Sequence, residues 1–470
     1  MSRLHKGSDS SQKYLNNTKS MNQDVFKLPG LGRVSIFDTL ANLNEEKLAF
    51  LAKCSLEYGD IVPLQIGTNS SLLLNCPAYI EQVSKDRALF IRGPHVRTAL
   101  QGLLGEGIFI KEGESWFHQR RITQPVLYHK RITNFGDTIV SYTEGLLDTW
   151  QDGEVRNLQP DMIDLTLEII WKVIFNHELS EQEAQDIAYI LGVSTRLFEN
   201  PPHEGINKLE EQSTTNNLRY DRILQEMDRY IYSLIQRRRE SGEDPGDLLS
   251  MLMHVRDEDD NSQMNDKQLR DEVVSLLFAG QEAVAVVLSW TFLLISLHPE
   301  VQTKLQAELN EVLGGRCASV ADLPHLYYTD SIIKEAMRLY PPIAVMPRIA
   351  TQDYEIDGYK VPTGCTVLMS PWIMHRHPRY FEQPDMFNPD RWANGLEKRL
   401  PRGAYFPFGN GPRICIGKSL AQMEMVLIVA TIAQKYHLKL VSDFNLILWA
   451  TLTLRSKQGV PVQLHLRGSV

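Results

Sequence analysis

The spacing of apolar residues predicts that most of this chain is helical. Almost the whole stretch between about residues 115 and 340 shows helical periodicity, and it includes Val301 to Leu313, which the pair Gly314-Gly315 terminates. A further helix is predicted over Asn44 to Tyr58. The fold class expected from this pattern is mainly α.

Short β-rich runs near both ends of the chain predict a small β portion beside the helices. These runs are Ile61 to Ile66 and Ser71 to Leu74 (joined by a turn over 67–70), Tyr354 to Lys360, Thr366 to Ser370, and a final hairpin of Thr451 to Arg455 with Pro461 to Leu466 that turns at Gln458-Gly459. Because the runs come from both ends, we expect them to pair with one another. Such pairing favours one compact unit over separate domains.

The segment Val273 to Leu297 is mostly apolar and long enough to cross a bilayer. Gln281 and Glu282 lie near its middle, and a central carboxylate costs a membrane-spanning helix about 3 kcal/mol. Residues 265–268 resemble a capping box, and Pro299-Glu300 begins another amphipathic helix. We therefore predict a buried central helix.

The first residues have a different composition from the rest of the chain. Met1 to Asp24 is polar, is rich in Ser, Asn and Lys, and has no apolar stretch typical of a signal peptide. We expect residues 1–27 to be a disordered tail without a membrane anchor, with Met21 as an alternative start. Residues 28–470 are expected to form a single domain, and the location of the protein to be cytoplasmic.

Composition excludes several classes of function. A net charge of -9 and a pI near 5.9 argue against nucleic acid as a partner. The five cysteines are widely spaced and include no CxxC pair, which argues against a disulfide framework, a cysteine zinc site and a c-type haem attachment. We interpret four of them as buried structural thiols: Cys54, Cys76, Cys317 and Cys365.

Cys415 differs from the other cysteines because it lies in a glycine-flanked loop, residues 408–417, that leads into a helix beginning near Lys418. Glycines let backbone N–H groups approach a sulfur atom closely, and a helix N-terminus stabilises a thiolate. An anionic sulfur beside Arg413 suits an iron ligand whose cofactor carries carboxylates.

The sequence FGNGPRICIG of this loop matches every fixed position of FxxGxRxCxG, and on it the chain resembles the cytochrome P-450 family. The resemblance implies a triangular, mostly helical prism around a buried haem b, with Cys415 as the axial ligand of the iron. It places Phe408 beside the sulfur, Arg413 at a haem propionate and Gly417 in the cofactor site. The implied activity is that of a monooxygenase, which inserts one oxygen atom from O₂ into an unactivated C–H bond.

A second motif of the family has a structural role. Glu335-Ala-Met-Arg338 matches ExxR, and residues three apart on a helix are neighbours that can form an ion pair. Residues 387–392 resemble the loop whose arginine, here Arg391, joins that pair. By resemblance, Glu335, Arg338 and Arg391 stabilise the segment beneath the haem and take no part in catalysis.

Further propionate contacts are implied by two more matches in the family's order. Trp116-Phe-His-Gln-Arg120 matches WxxxR, in which the tryptophan and the arginine hold a propionate. Arg348, seven residues beyond Pro341, falls where the family places another propionate arginine.

The sequence of the central helix departs from the family pattern at one position. The family commonly carries A/G-G-x-D/E-T over the distal face of the haem, and here residues 279–283 read Ala-Gly-Gln-Glu-Ala. Gly280, Glu282 and Ala283 are the candidate catalytic positions. The methyl group of Ala283 cannot relay a hydrogen bond as the usual threonine does during proton delivery.

Three interpretations of Ala283 stay open. A substrate hydroxyl or an ordered water supplies the missing hydrogen bond, which we favour because the remainder of the family pattern is intact. The enzyme uses peroxide, or isomerises an oxygenated substrate without protons from solvent. Or the enzyme is a weakly coupled oxygenase whose proton path runs through Glu282 alone.

The positions that the resemblance places near the substrate are apolar and include no charged anchor. They are Ala279, Val287, Ile343, Ala344, Val345 and Leu452, with residues 90–110 as the variable loop above them. The sequences of residues 279–282, 334–342 and 408–417 look most like those of the branch that contains bacterial fatty-acid hydroxylases and their membrane-bound eukaryotic relatives. The implied substrate is a small apolar molecule, a fatty acid or a terpenoid.

A P-450 of this length leaves no room for a fused reductase, so a separate ferredoxin or flavodoxin is expected to donate electrons to a monomer. Basic residues outnumber acidic ones around the ligand loop: Lys398, Arg399, Arg402, Lys418, Lys435 and Lys439 stand against Glu397 and Glu424. The alternative from another class is a non-catalytic haem protein, a gas sensor or carrier, which would show no turnover.

Overall fold

The computed structural model describes residues 35–37, 45–66, 69–196, 214–257, 259, 261–450 and 452–468. The predicted tail and both candidate starts lie outside the described residues, as do residues 67–68 of the predicted turn and Thr451 of the predicted final hairpin.

Helices dominate the described residues, as the apolar spacing predicts. They are α1 (Glu45–Tyr58), α2 (Pro77–Lys85), α3 (Pro94–Leu104), α4 (Gly113–Thr123), α5 (His129–Ile132), α6 (Gly136–Asp148), α7 (Leu158–Phe175), α8 (Glu181–Arg196), α9 (Thr214–Ser241), α10 (Leu248–His254), α11 (Asp266–Leu297), α12 (Pro299–Leu313), α13 (Tyr327–Leu339), α14 (Pro371–Met374), α15 (Leu396–Arg399) and α16 (Lys418–Lys435). Helix α1 agrees with the prediction to one residue, and Gly314 ends α12 in the left-handed conformation, as predicted.

Short strands form the β portion. They are β1 (Ser35–Phe37), β2 (Ile61–Ile66), β3 (Asn69–Leu74), β4 (Phe90–Ile91), β5 (Val155–Asn157), β6 (Met346–Ala350), β7 (Tyr354–Ile356), β8 (Tyr359–Val361), β9 (Thr366–Met369), β10 (Tyr436–Leu440), β11 (Leu448–Ala450), β12 (Leu454–Ser456) and β13 (Pro461–Leu466). The largest sheet has the order β1-β2-β3-β9-β6-β4, and β10-β13-β5 form a second sheet. The pairs β7-β8 and β11-β12 stand apart as hairpins.

The two ends of the chain meet in the largest sheet. Strand β3 from the N-terminal part pairs in parallel with β9 from the C-terminal part, with Ser71 opposite Thr366 and Leu74 opposite Met369. Leu72, Leu74 and Met369 are buried there. The prediction that the β pieces of both ends pair with one another is confirmed.

The predicted final hairpin is wrong. Strand β12 pairs with β11, and β13 pairs instead with β10 and β5. The physical reason is the apolar face of β13, on which Leu464 lies opposite Leu438 and Val462 opposite Leu440. Pairing with β10 buries Val462 and Leu464 completely, which a two-stranded hairpin at the surface could not do.

The predicted strand from Tyr354 to Lys360 is in fact the hairpin β7-β8. Asp357 and Gly358 both have positive φ angles, 49° and 80°, and form its two-residue turn. The dipeptide Asp-Gly favours this turn because both central residues need the left-handed conformation.

Helix α11 runs through the core. Asn265 and Gln268 form the predicted capping box at its start. The helix is apolar and long enough to cross a membrane, but 83% of its most hydrophobic window is buried inside the protein. The prediction of a buried central helix is confirmed.

Helix α7 packs closely against the middle of helix α11. A Cβ atom on Gly280 would lie 3.0 Å from Ile170 Cγ1, so glycine permits this close approach. Thr166 Oγ1 donates a hydrogen bond to the Gln281 carbonyl oxygen at 3.1 Å, and Gln281 Nε2 donates to the Ile163 carbonyl at 3.3 Å. These contacts fix the rotation of α11 and therefore which residues it turns toward the pocket.

Candidate haem and substrate site

The loop around Cys415 is folded tightly before α16 begins. The Cys415 N–H donates to the Phe408 carbonyl at 2.8 Å. Gly411 has a φ of +68° and its Cα approaches the Ser84 carbonyl so closely that a Cβ atom would clash with it. The loop is thereby pressed against the end of α2, with Gly417 at the N-cap of α16.

Some features around the Cys415 sulfur raise the pKa of the thiol, and others lower it. Cys415 is exposed on one side of the loop, and the protein atoms packed around its sulfur raise the pKa of the thiol, while the Gly417 N–H, Arg120 and Lys418 lower it. A metal ion bound to a thiol removes its proton outright. The N–H group and the two cations are therefore suited to stabilise a thiolate that coordinates iron.

The other cysteines are placed differently from Cys415. Cys54 and Cys365 are buried, as expected, and burial raises the pKa of each thiol to about 12. Cys76 is half-buried. The interpretation of Cys317 as a buried thiol is wrong: it is exposed, and its sulfur donates to Glu144 Oε1 at 2.9 Å.

Trp116 brings two of the predicted propionate arginines together. Its buried indole lies 4.2 Å from the Arg413 guanidinium and 5.5 Å from that of Arg120. Arg120 Nη1 also donates to the Ile414 carbonyl at 2.7 Å, which joins α4 to the ligand loop. The motifs WxxxR and FxxGxRxCxG therefore meet at one place in the fold.

Arg348 and Arg413 lie in a concentration of positive charge. Burial and the neighbouring Arg92 lower the pKa of Arg348 to about 10 and that of Arg413 to about 9. Glu112 is the carboxylate that opposes this effect at both, and it pairs with Arg92 at 2.9 Å and with Arg413.

Arg413 Nε is buried and has no acceptor among the described residues. Several arginines against one carboxylate leave an excess of cationic charge, which two further carboxylates would neutralise. The residues present therefore fit a haem with two propionates.

Glu335 stands at the centre of a buried hydrogen-bond network. Its carboxylate accepts from Arg338 at 2.8 and 2.9 Å, from Arg391 Nε at 2.8 Å, from Trp392 Nε1 at 2.9 Å and from the Asn388 N–H at 2.9 Å. Arg338 uses its remaining N–H groups on the carbonyls of His375, Pro384 and Met386. Both Glu335 and Arg338 are fully buried. The structure thus brings the three predicted residues together and connects α13 to the segment 384–392.

The candidate catalytic residues of α11 point in different directions. Ala279 is exposed and Ala283, one turn later, is half-buried, so these two apolar residues form the accessible part of this helix face. Gly280 faces Ile170 of α7. Glu282 is buried, and its Oε1 accepts a hydrogen bond from Thr453 Oγ1 at 2.5 Å and forms an ion pair with Arg455 at 2.9 Å.

The remaining predicted pocket residues lie on α11, on the strand-like segment after α13 and in the β11-β12 hairpin. Val287, Ala344 and Val345 are buried, while Ile343 and Leu452 are half-buried. Ser370 Oγ donates to the Ala344 carbonyl at 2.8 Å, and the Leu454 N–H donates to the Pro342 carbonyl at 2.8 Å. Segment 342–345 is therefore fixed to β9 on one side and to the hairpin on the other.

Sequence reasoning missed several residues that the structure places at this site. They are Arg92 and Glu112 beside Arg413, Gln281 at the contact with α7, and Thr453 and Arg455 beside Glu282. A buried charge needs a partner, so Glu282 in an apolar helix was itself a signal that a cation lay nearby. Nothing in the sequence indicated which one.

A family model described as cytochrome P-450 matches residues 28–457. The chain belongs to the cytochrome P-450 family.

This P-450 is 32% identical over 408 residues to cyclooctat-9-en-7-ol 5-monooxygenase of Streptomyces melanosporofaciens, which covers 87% of this chain and 88% of that protein. It is 28% identical to pentalenene oxygenase of Streptomyces avermitilis over 417 residues, 88% of this chain and 91% of that protein. The crystal structure of the cytochrome P-450DA haem domain matches the fold with a TM-score of 0.80 at 24% identity, covering 90% of this chain and 93% of that one. The protein is a P-450 monooxygenase, an oxidoreductase whose cofactor is haem b.

In this P-450, Glu272 near the start of α11 fixes the end of the variable loop. Its carboxyl group accepts from the Ile108 N–H at 3.1 Å, from Gln119 Nε2 at 2.9 Å and from Thr123 Oγ1 at 2.8 Å. Burial raises the pKa of Glu272 to about 7. Below that pH the protonated carboxyl group of Glu272 can donate a hydrogen bond to Thr123 Oγ1, which then acts as the acceptor.

We expect the stability of the protein to fall as the pH rises from about 4.5 to above 7 because Glu272 loses its proton in a buried site. A group whose pKa is higher in the folded than in the unfolded protein stabilises the fold at a pH below its ordinary pKa. This stabilisation, here about 3 kcal/mol, is lost as the pH rises through the pKa of the folded protein. Glu272→Gln mimics the protonated form and should remove the part of this pH dependence that Glu272 contributes, leaving that of Glu424, whose pKa burial raises to about 8. Denaturant unfolding of both proteins at about pH 5 and pH 8 measures it. An equal decrease with pH in both proteins would contradict the assignment.

Proposed function

We propose that this monooxygenase inserts one oxygen atom from O₂ into a C–H bond of a small apolar terpenoid. The names of two relatives support this substrate class, since cyclooctat-9-en-7-ol and pentalenene are terpenoids. The six predicted pocket positions are all apolar, which suits a hydrocarbon skeleton and provides no charged group for the carboxylate of a fatty acid. The fatty acid therefore has less support than the terpenoid.

The roles that we propose for the site residues follow from their contacts. Cys415 is the axial ligand of the iron, with Phe408 and the Gly417 N–H beside the sulfur. Trp116, Arg120, Arg348 and Arg413 hold the propionates. Haem b with a thiolate ligand supplies the chemistry of O–O cleavage. Ala279 and Ala283 leave room for an apolar substrate on the accessible face of α11.

At Ala283 we propose that the substrate supplies the missing hydroxyl or that an ordered water does so. The substrate named for one relative is itself an alcohol, so a hydroxyl can already be present on a substrate of this kind. Ala283 is only half-buried, which leaves its methyl group accessible to such a group. Glu282 is engaged with Thr453 and Arg455, so a proton path through Glu282 alone has less support.

Replacing Ala283 by threonine is expected to restore coupling for a substrate analogue that lacks the hydroxyl. Such an analogue should release peroxide with the natural enzyme, whereas the natural substrate should give product close to one per NAD(P)H consumed. A positioned proton-transfer group contributes about 10²–10⁴-fold to rate, so the contrast is large enough to measure. Ala279→Thr, one turn earlier on the same face, is the matched control and should restore nothing.

Equal improvement of both substrates by Ala283→Thr would exclude assistance by the substrate and favour a weakly coupled oxygenase. Turnover that needs hydrogen peroxide and consumes no O₂ would favour the peroxide interpretation.

For the electron donor we propose a separate ferredoxin or flavodoxin that binds at the cleft beneath the ligand loop. Lys85, Arg402 and Lys418 line this cleft with Glu397, and Lys418 lies 3.8 Å from Glu397. Glu424 does not belong to this surface, contrary to the sequence-based interpretation, because it is fully enclosed in α16 and burial raises its pKa to about 8. Lys334 and Glu81 line the cleft as well, so four basic residues stand against two acidic ones there. We propose a cytoplasmic monomer.

The experiment that tests the function is a screen of terpenoids and fatty acids for the low-to-high-spin shift of the Soret band, followed by product analysis with a surrogate ferredoxin or flavodoxin system. We expect hydroxylated products from terpenoids. Binding of CO without NAD(P)H consumption under any donor would indicate a sensor instead.

A further inference from the structure

Glu282 is the acidic residue of α11 that the family pattern associates with catalysis, yet its contacts lead away from α11. Oε1 accepts a hydrogen bond from Thr453 Oγ1 at 2.5 Å and forms an ion pair with Arg455 Nη2 at 2.9 Å, both in or beside the β11-β12 hairpin. The carboxylate is 7% exposed. An ion pair between the middle of the central helix and a hairpin near the end of the chain joins two walls of the pocket.

The network continues to a third element. Arg455 Nη2 also donates to Thr195 Oγ1 at 3.1 Å, and Thr195 lies in the last turn of α8. Thr195 is 2% exposed. Arg455 Nε finds no acceptor in the part of the chain that the structure describes, so the contacts with Glu282 and Thr195 hold its guanidinium.

The base of the hairpin has anchors of its own. Trp290 Nε1 donates to the Leu454 carbonyl at 2.8 Å, and the Leu454 N–H donates to the Pro342 carbonyl at 2.8 Å. These bonds fix the hairpin to α11 and to the segment before Ile343. Half-buried Leu452 precedes Thr453 directly in the chain, so the bond from Thr453 to Glu282 also restrains Leu452.

We infer that Glu282 is a positioning residue that joins α11, the β11-β12 hairpin and the end of α8 through Thr453, Arg455 and Thr195, so that opening of this link speeds the entry of ligands into the pocket. The inference rests on the proposed function, because it concerns the same pocket. A positioning role can be distinguished from proton delivery by Glu282, because Thr195 belongs to the link through its contact with Arg455 and not through Glu282.

The variants remove one connection at a time. Glu282→Gln keeps the shape and removes the charge, and Arg455→Met keeps the length and removes the donors. Thr195→Val removes the bond from Arg455 to α8, together with the bond that Thr195 Oγ1 donates to the Gly192 carbonyl within that helix at 3.0 Å. Thr291→Val is the matched control, because the buried Thr291 hydroxyl donates to the Val287 carbonyl within its own helix at 2.7 Å.

The readout is the association rate of 4-phenylimidazole with the haem-loaded protein, followed by the Soret band in a stopped-flow instrument. Loss of one charge-assisted hydrogen bond should favour local opening by about tenfold. We expect this increase for Glu282→Gln and Arg455→Met, a smaller one for Thr195→Val, and none for Thr291→Val. The double variant Thr195→Val/Arg455→Met should be no faster than Arg455→Met alone.

Hydrogen exchange provides a second readout that does not depend on turnover. Amides of residues 448–456 and 190–196 should exchange faster in Glu282→Gln and Arg455→Met than in Thr291→Val. Because neither readout uses a substrate, failure to find a hydroxylated terpenoid would count against the proposed function and leave the link intact.

Unchanged association and exchange in all variants would overturn the inference. If Glu282→Gln then changed only the solvent isotope effect on turnover, Glu282 would deliver protons. If it lowered only the melting temperature, the ion pair would be purely structural.

Discussion

Replacing Cys415 by serine is expected to abolish the thiolate-type Soret band of the reduced, CO-bound protein and all monooxygenase turnover. The hydroxyl of serine is not ionised by the Gly417 N–H, Arg120 and Lys418 as a thiol can be, and it lacks the electron donation that favours O–O cleavage. The fold around residue 415 should persist, because the loop is held by its backbone bond to Phe408 and by the contact of Gly411 with α2.

Cys317→Ser is the matched control for this change. Cys317 is an exposed thiol that donates to Glu144 at the surface, so its variant should keep both the spectrum and the turnover of the natural protein. A Cys415→Ser protein that retained the thiolate band would transfer the ligand role to another cysteine and would refute the assignment.

Replacing Glu335 by alanine is expected to destabilise the protein by about 3–5 kcal/mol, because it leaves the fully buried Arg338 and the half-buried Arg391 close together without their counter-charge. The loss also removes the acceptor for Trp392 Nε1 and for the Asn388 N–H, each bonded at 2.9 Å. We expect insoluble or haem-free protein, measured by the yield of soluble protein and by the ratio of haem to protein absorbance.

Asp330→Ala on the same helix is the control for Glu335. Asp330 pairs with Lys334 at 2.7 Å, and both side chains are partly exposed, so this change should cost about 1 kcal/mol or less. A Glu335→Ala protein that bound haem normally and lost only turnover would show that Glu335 acts in catalysis and not in structure.

Much of the fold was predictable because local patterns decide it. The capping box at Asn265 and the left-handed Gly314 depend on a few neighbouring residues, and both were found where the sequence places them. The buried character of α11 followed from a carboxylate in an otherwise apolar helix. The Cys415 loop was recognisable because its glycines and arginine occupy fixed positions.

The pairing of the final strands was not predictable, because it depends on residues far apart in the chain. The alternation in β13 fits a hairpin with β12 as well as it fits β10, and only the burial of Val462 and Leu464 against Leu438 and Leu440 decides between them. The turn at Asp357-Gly358 is different, since its dipeptide does indicate a hairpin and could have corrected the predicted strand.

The partners of Glu282 were beyond sequence reasoning for the same physical reason. In the sequence, nothing distinguishes Arg455 from the many basic residues that lie at the surface. It reaches Glu282 only because Trp290 and Pro342 fix the base of the hairpin against α11. Two of the arginines around Trp116 were easier to predict, since Arg120 and Arg413 occupy positions fixed by the family's motifs, whereas Arg87, 5.8 Å from the Trp116 ring, was not found. Arg92 and its partner Glu112 were not found.

The most direct test of the account is turnover of a bound terpenoid under isotopically labelled dioxygen, with a surrogate electron donor and mass spectrometry of the product. The account predicts that the product gains one labelled oxygen atom and that the Cys415→Ser protein forms none. A product whose new oxygen comes from water, or one that forms in the absence of O₂, would contradict it.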